Sequence, residues 1–132
     1  MARVLLAEDD NAVRDMLRAA LERCGFDVVA VAGVRDALRC IATESFDVLL
    51  SENLHMPHAG DGFTVVRAMR HTHPDAVTIV LSGYPEIEEA FAAIRSQADE
   101  VLVKPIGIAS LREIINKRLA APDFTARCPR KP

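Results

Sequence analysis

Several things are missing from this chain, and each absence closes off a class of function. It has no run of about eighteen consecutive apolar residues, so no segment is expected to cross a membrane. The opening Met1-Ala2-Arg3-Val4 leads into an apolar run too short for a secretion signal and lacks a cleavage pattern, so no leader is expected. Charge of one sign is not in large excess. Sixteen Lys and Arg against nineteen Asp and Glu leave −3, which gives no general pull toward nucleic acid. Cysteine is scarce, with only Cys24, Cys40 and Cys128. An odd number without paired spacing argues against a disulfide framework and for a reducing, cytoplasmic setting. Cys24 and Cys40 fall in helical patterns and are expected as small core residues, with Cys128 as an exposed thiol. Internal repeats and low-complexity segments are absent too. The 132 residues suit one domain with one core, and 50% hydrophobic with 27% charged residues is an ordinary globular balance.

What is present is organised around Leu49-Leu50-Ser51-Glu52-Asn53-Leu54-His55-Met56-Pro57. An apolar strand, uninterrupted from Val48 to Leu50, runs into a polar loop that ends at proline. That pattern fits a strand buried on both faces of a parallel sheet. Around it, strands are expected at 3–7, 26–32, 47–51, 76–81 and 99–103. Helices are expected at 11–24, 35–43, from Phe63 to Pro74, from Pro85 through Ile94, and at 108–121. Asp10 is placed to cap the first helix and Gly25 to stop it. Val13, Met16, Leu17, Ala20 and Leu21 form its apolar stripe. Strands alternating with helices give a βαβ series, hence an α/β doubly wound parallel sheet covered on both faces with right-handed crossovers. Residues 1–121 form the domain. The proline-rich, basic stretch 122–132 reads as a short mobile C-terminal tail.

Ligands bind at the carboxyl ends of strands in such sheets. Glu8 and Asp9, Asn53, Ser82 and Lys104 all fall at predicted strand ends on that one edge. Carboxylates suit a hard divalent cation such as Mg²⁺, and a lysine with a small hydroxyl beside it suits a phosphoryl group. Each feature alone has an ordinary explanation. Acids after a strand cap the next helix, Ser82-Gly83 makes a turn, and a lysine before proline is a solvated turn residue. Their joint placement at four strand ends is what points to a site. His55 and His58 lack further soft ligands for zinc. His71 and His73 end a helix, where positive charge favours the dipole.

Taken together, Leu5-Leu6-Ala7-Glu8-Asp9-Asp10, Met56-Pro57, Gly60-Asp61-Gly62-Phe63, Ser82 and Val103-Lys104-Pro105 resemble the receiver domain of two-component response regulators over residues 2–121. The resemblance implies a flavodoxin-like fold of five strands in the order 2-1-3-4-5 with five helices. It implies Mg²⁺ acids at Glu8 and Asp9, with the backbone carbonyl of His55 as a further ligand. Lys104 becomes the phosphate-pairing lysine before a cis peptide to Pro105, and Ser82 the switch hydroxyl.

The chain also departs from that pattern. The family's phosphoacceptor aspartate stands four residues before the proline of the Met-Pro pair, which here is Asn53. A carboxylate can attack phosphorus and form an acyl phosphate. An amide cannot, because its oxygen is neutral and its nitrogen lone pair is delocalised. The site then carries net −1 rather than −2, so Mg²⁺ is expected to bind weakly and not to be required. Glu52 is a poor substitute, since neighbouring strand side chains point to opposite faces. The loop from Pro57 to Gly62 is one residue longer than the commonest family spacing. Val101 replaces the aromatic switch residue three before the lysine, and valine is short and stiff.

The expectation is therefore an atypical signalling module, not an enzyme, that works through protein contacts without aspartyl phosphorylation. Its expected partners are a histidine kinase, a phosphotransfer protein, another response regulator or a second copy. A homodimer would use the fourth helix, fifth strand and fifth helix, where Arg95, Asp99, Glu100, Arg112 and Arg118 offer ion pairs. Two alternatives compete. One is a conventional Mg²⁺-dependent phospho-accepting receiver carrying an engineered Asp-to-Asn change at 53. The other is a flavodoxin-like cofactor binder, disfavoured because Glu8-Asp9-Asp10 repels phosphate where such folds place a glycine- or hydroxyl-rich loop. A transcription factor is not expected, since no stretch of these 132 residues is left over for a helix-turn-helix module.

Overall fold

The computed structural model describes residues 1–52, 62–82 and 98–120, with the backbone alone at Glu52, Gly62, Phe63 and Ser82. Its strands are β1 (Arg3–Ala7), β2 (Asp27–Val31), β3 (Val48–Glu52), β4 (Val77–Ser82) and β5 (Glu100–Val103). They form one parallel sheet in the order β2-β1-β3-β4-β5, as the resemblance implied. Four helices are described: α1 (Asn11–Arg23), α2 (Val34–Thr43), α3 (Gly62–Thr72) and α4 (Ile108–Ala120). The helix expected from Pro85 through Ile94 lies outside the described residues, as does the stretch 122–132, so α4 is the fifth helix of the sequence reading.

The scarcity of polar residues in the middle strands follows from the layering. Leu5, Ala7, Leu49 and Val80 face one side, where Ala37 and Ile41 of α2 and Val65, Val66 and Met69 of α3 meet them. Val4, Leu6, Val48, Leu50, Ile79 and Leu81 face the other, against Leu21 of α1 and Leu111 and Ile115 of α4. Strand side chains alternate in direction, so a strand with helices on both sides is apolar at nearly every position. Each fully buried leucine here contributes about 1.5–3 kcal/mol of transfer free energy.

Helix α1 begins and ends where expected. Asp10 caps it by accepting from the Val13 N–H at 3.0 Å. Gly25 follows its last turn at φ 98°, a left-handed conformation that glycine adopts without a Cβ clash. Its apolar stripe is narrower than expected. Leu21 is buried and Leu17 half-buried, but Met16 is 61% exposed. At 100° per residue, Met16 stands about 80° round from the centre of the stripe. Cys24 and Cys40 are both half-buried free thiols that pack against the two core layers.

At the amino-terminal edge of the sheet, Asp99 departs from expectation. Its side chain is 0% exposed and unavailable for a pair between copies. Asp99 Oδ2 accepts from Thr78 N–H at 2.8 Å and from Thr78 Oγ1 at 3.3 Å, and lies 4.0 Å from Arg70 Nη1. Arg118 bonds Glu100 within the same chain through Nε at 2.8 Å and Nη2 at 2.6 Å. Arg118 Nη2 also donates to the Asp99 carbonyl. The first strand tells this edge apart from the carboxyl edge: Arg3 sits here, and Ala7 ends at the opposite rim.

Candidate functional site: the carboxyl edge of the sheet

Strand register determines what meets at the rim. Ala7 pairs with both Val31 and Ser51, Glu52 is level with Leu81, and Ser82 is level with Val103. Glu8, Asn53, Gly83 and Lys104 therefore each follow directly on a strand that ends at the same rim. Glu8, Asp9 and Lys104 are described with their side chains, and Ser82 by its backbone in β4. Asn53 and His55 lie outside the described residues, as does the side chain of Glu52.

The three acids after β1 divide their work unequally. Glu8 is buried, at 3% exposure. Its Oε2 accepts from the Asp10 N–H at 3.0 Å, and its own N–H donates to the Val31 carbonyl at 3.1 Å. Asp10 is occupied by the helix cap. Asp9 is exposed, and its carboxylate makes no hydrogen bond or ion pair among the described residues. The loop thus holds one acid inward, uses one on the helix, and leaves one facing solvent.

Arg14, which the sequence reading did not single out, belongs to the same construction. Its Nη1 donates to the Glu8 carbonyl at 2.9 Å and its Nη2 to Asn11 Oδ1 at 2.6 Å. Helical side chains lean toward the helix N-terminus, so an arginine in the first turn of α1 can fold back over the preceding loop. That lean is the signal that could have found it.

Lys104 follows β5, is half-buried, and is joined to Pro105 by a cis peptide bond, as expected. Val101 in β5 is 36% exposed. Oxygen donors such as Glu8 and Asp9 have the chemistry a hard cation needs. Among the described residues no group of three or more His, Cys, Asp or Glu gathers around a common point. An open groove lined by Cys24, Arg112, Glu113, Asn116 and Lys117 lies elsewhere. It sits at the far end of α1, about 20 Å along that helix from the acids. Among the described residues no helix is long and apolar enough to cross a membrane.

Known proteins agree with this arrangement. The family model for the response regulator receiver domain matches residues 4–116. The response regulator protein PilR of Pseudomonas aeruginosa is 26% identical over 113 residues, covering 86% of this chain and 25% of that protein. The response regulator MprA of Mycolicibacterium vanbaalenii is 34% identical over 109 residues, covering 83% of this chain and 46% of that one. The chain thus spans between a quarter and a half of the length of these relatives. A CheY-like receiver domain protein from Methanospirillum hungatei shares the fold at TM-score 0.83 and 24% identity, with 99% of each chain covered. A Burkholderia pseudomallei response regulator, solved with a phosphorylated aspartic acid, a calcium ion and citrate, aligns at TM-score 0.79 and 25% identity, over 91% of this chain and 69% of that one. With sheet order, acid loop, strand-end lysine and family model in accord, the chain belongs to the response regulator receiver domain family of two-component signalling.

Proposed function

We propose that this chain is an atypical receiver that does not accept a phosphoryl group and acts through protein contacts. The observation that carries the reading is Asn53. It follows directly on the last residue of β3, the central strand, and stands four residues before Pro57. The Burkholderia neighbour carries its phosphoryl group on an aspartic acid. Asparagine has no anionic oxygen with which to displace a leaving group from phosphorus. Mg²⁺, held by Glu8, Asp9 and the backbone carbonyl of His55, would screen negative charge at this edge. It binds weakly, because the site lacks a third carboxylate. Lys104 supplies the positive charge that an incoming anion would meet, and Ser82 a hydroxyl. Val101 stands where the resemblance calls for a mobile ring; a β-branched side chain has one strongly preferred rotamer and little reach.

The module carries out no catalysis of its own. Its state is set by a partner that binds one conformer better than another, which shifts the population only by the difference in the two affinities. The partner classes are a histidine kinase, a phosphotransfer protein, another response regulator or a second copy. In a pairing of copies, Arg118 and Glu100 would first have to exchange the bond they make within the chain.

Intact mass after treatment with a small phosphodonor and Mg²⁺ tests this. The chain as it stands is expected to gain nothing, and Asn53→Asp to gain the mass of one phosphoryl group. A phosphoryl group on the unaltered chain refutes the reading.

A further inference from the structure

One arginine beside the acid loop has no role in the receiver reading. We infer that Arg14 is a positioning residue for that loop: its forked guanidinium fixes the peptide between Glu8 and Asp9, and thereby the direction in which the Asp9 carboxylate leaves the rim. Asp9 is flanked by anchored neighbours. On one side Glu8 is tied at three points: its N–H to the Val31 carbonyl, its carboxylate to the Asp10 N–H, and its carbonyl to Arg14 Nη1. On the other side Asp10 is tied through its side chain to Val13 N–H. The Asp9 carboxylate between them has no partner among the described residues. An exposed, unneutralised carboxylate on a clamped backbone is preorganised for an oxygen-seeking cation, since little conformational freedom remains to be lost on binding. The second guanidinium nitrogen, on Asn11 Oδ1, ties the fork to the first turn of α1. A lysine in its place keeps the charge but lacks the rigid planar fork that holds the two oxygens in fixed relation.

The sign of the effect separates positioning from plain electrostatics. Arg14 is a cation near an anionic loop, so charge alone says that removing it tightens cation binding. Positioning says that removing it weakens binding, even when the charge is kept. The cation part of the inference rests on the Mg²⁺ site proposed above, and the clamp part does not.

The test uses the full chain and the variants Arg14→Lys and Arg14→Ala. Amide hydrogen exchange is measured without metal, and Mg²⁺ alone is then titrated by calorimetry. The Glu8 and Asp10 amides are expected to exchange about tenfold faster in both variants, with the Leu50 amide unchanged. Mg²⁺ affinity is expected to fall about tenfold in both, as when a group that orients a ligand is lost. If the unaltered chain shows no Mg²⁺ binding but the loop amides still accelerate, the clamp stands and the Mg²⁺ site falls. Unchanged loop amides overturn the inference. So does uniform acceleration of loop and core amides, which marks a merely structural role. Tighter Mg²⁺ binding in Arg14→Ala with none lost in Arg14→Lys also overturns it, because Arg14 then acts by charge alone.

Discussion

Replacing Asp99 should cost more stability than replacing any charged residue on the rim, and the geometry gives the size. Its carboxylate is fully buried, accepts from Thr78 N–H at 2.8 Å and stands 4.0 Å from a guanidinium that is itself 8% exposed. Two unit charges 4 Å apart attract by about 4 kcal/mol at an effective dielectric near 20, and desolvation takes back much of that. The short bond from Thr78 N–H is charge-assisted, the stronger kind. Asp99→Asn keeps an acceptor for Thr78 but removes the charge, and is expected to cost about 2 kcal/mol. Asp99→Ala removes both and takes from the buried Arg70 guanidinium the carboxylate 4.0 Å away, for about 3–5 kcal/mol. At about 3–5 °C per kcal/mol for a domain of this size, the alanine variant should melt roughly 9–25 °C lower. Urea unfolding of the two variants, with Arg70→Met completing a double-mutant cycle, measures each contribution separately. An alanine variant within about 1 kcal/mol of the parent would refute the reasoning, because the network would then be incidental to stability.

Two further outcomes follow from the same structure. Asp10→Ala removes the α1 cap and should cost about 1 kcal/mol in urea unfolding, whereas Asp9→Asn, next to it, should change stability by less than about 0.5 kcal/mol. Equal costs at the two positions would contradict the division of labour among the acids. Burial pushes the Cys40 thiol above its ordinary value of 9.0, with Glu44 and then Asp36 adding to the shift. Above that value the unfolded chain has released a proton that the folded chain still holds, so the thiol's contribution should be flat below about pH 9 and turn destabilising above it. Cys40→Ser should flatten that limb in a pH series of unfolding curves.

Much of the fold was legible because both core layers write themselves into one sequence pattern. The unbroken run Val48-Leu49-Leu50 announces a strand with helices on two sides, and the layers place those residues alternately. The Asp10 cap and the Gly25 stop are local chemistry, which needs no tertiary information. Met16 and Asp99 were less legible, for opposite reasons. Met16 fits a helical stripe by spacing, yet the width of the buried stripe depends on how closely α1 approaches the sheet, which no periodicity contains. Asp99 looks like one more surface charge until β5 is placed beside β4 and Thr78 comes into register to bond it. Arg14 was hidden because its partner is a backbone carbonyl, and backbone acceptors leave no mark on a sequence.

This division among the acids bears on what a receiver without an acceptor aspartate would keep. Glu8 and Asp10 hold the turn from β1 into α1 whether or not phosphate ever arrives, through the Asp10 N–H and the Val13 N–H. Those bonds give both acids a part in folding that does not depend on phosphate. The Asp9 carboxylate does no comparable work, since it holds no backbone group and pairs with no cation among the described residues. An exposed carboxylate with no structural work could be used by a group outside the chain. A weakly held cation or a partner's basic side chain would each do so, and both are compatible with an amide at 53. On the reading proposed above, Asp9 is the acid of this loop that a cation or a partner could engage without disturbing the turn from β1 into α1.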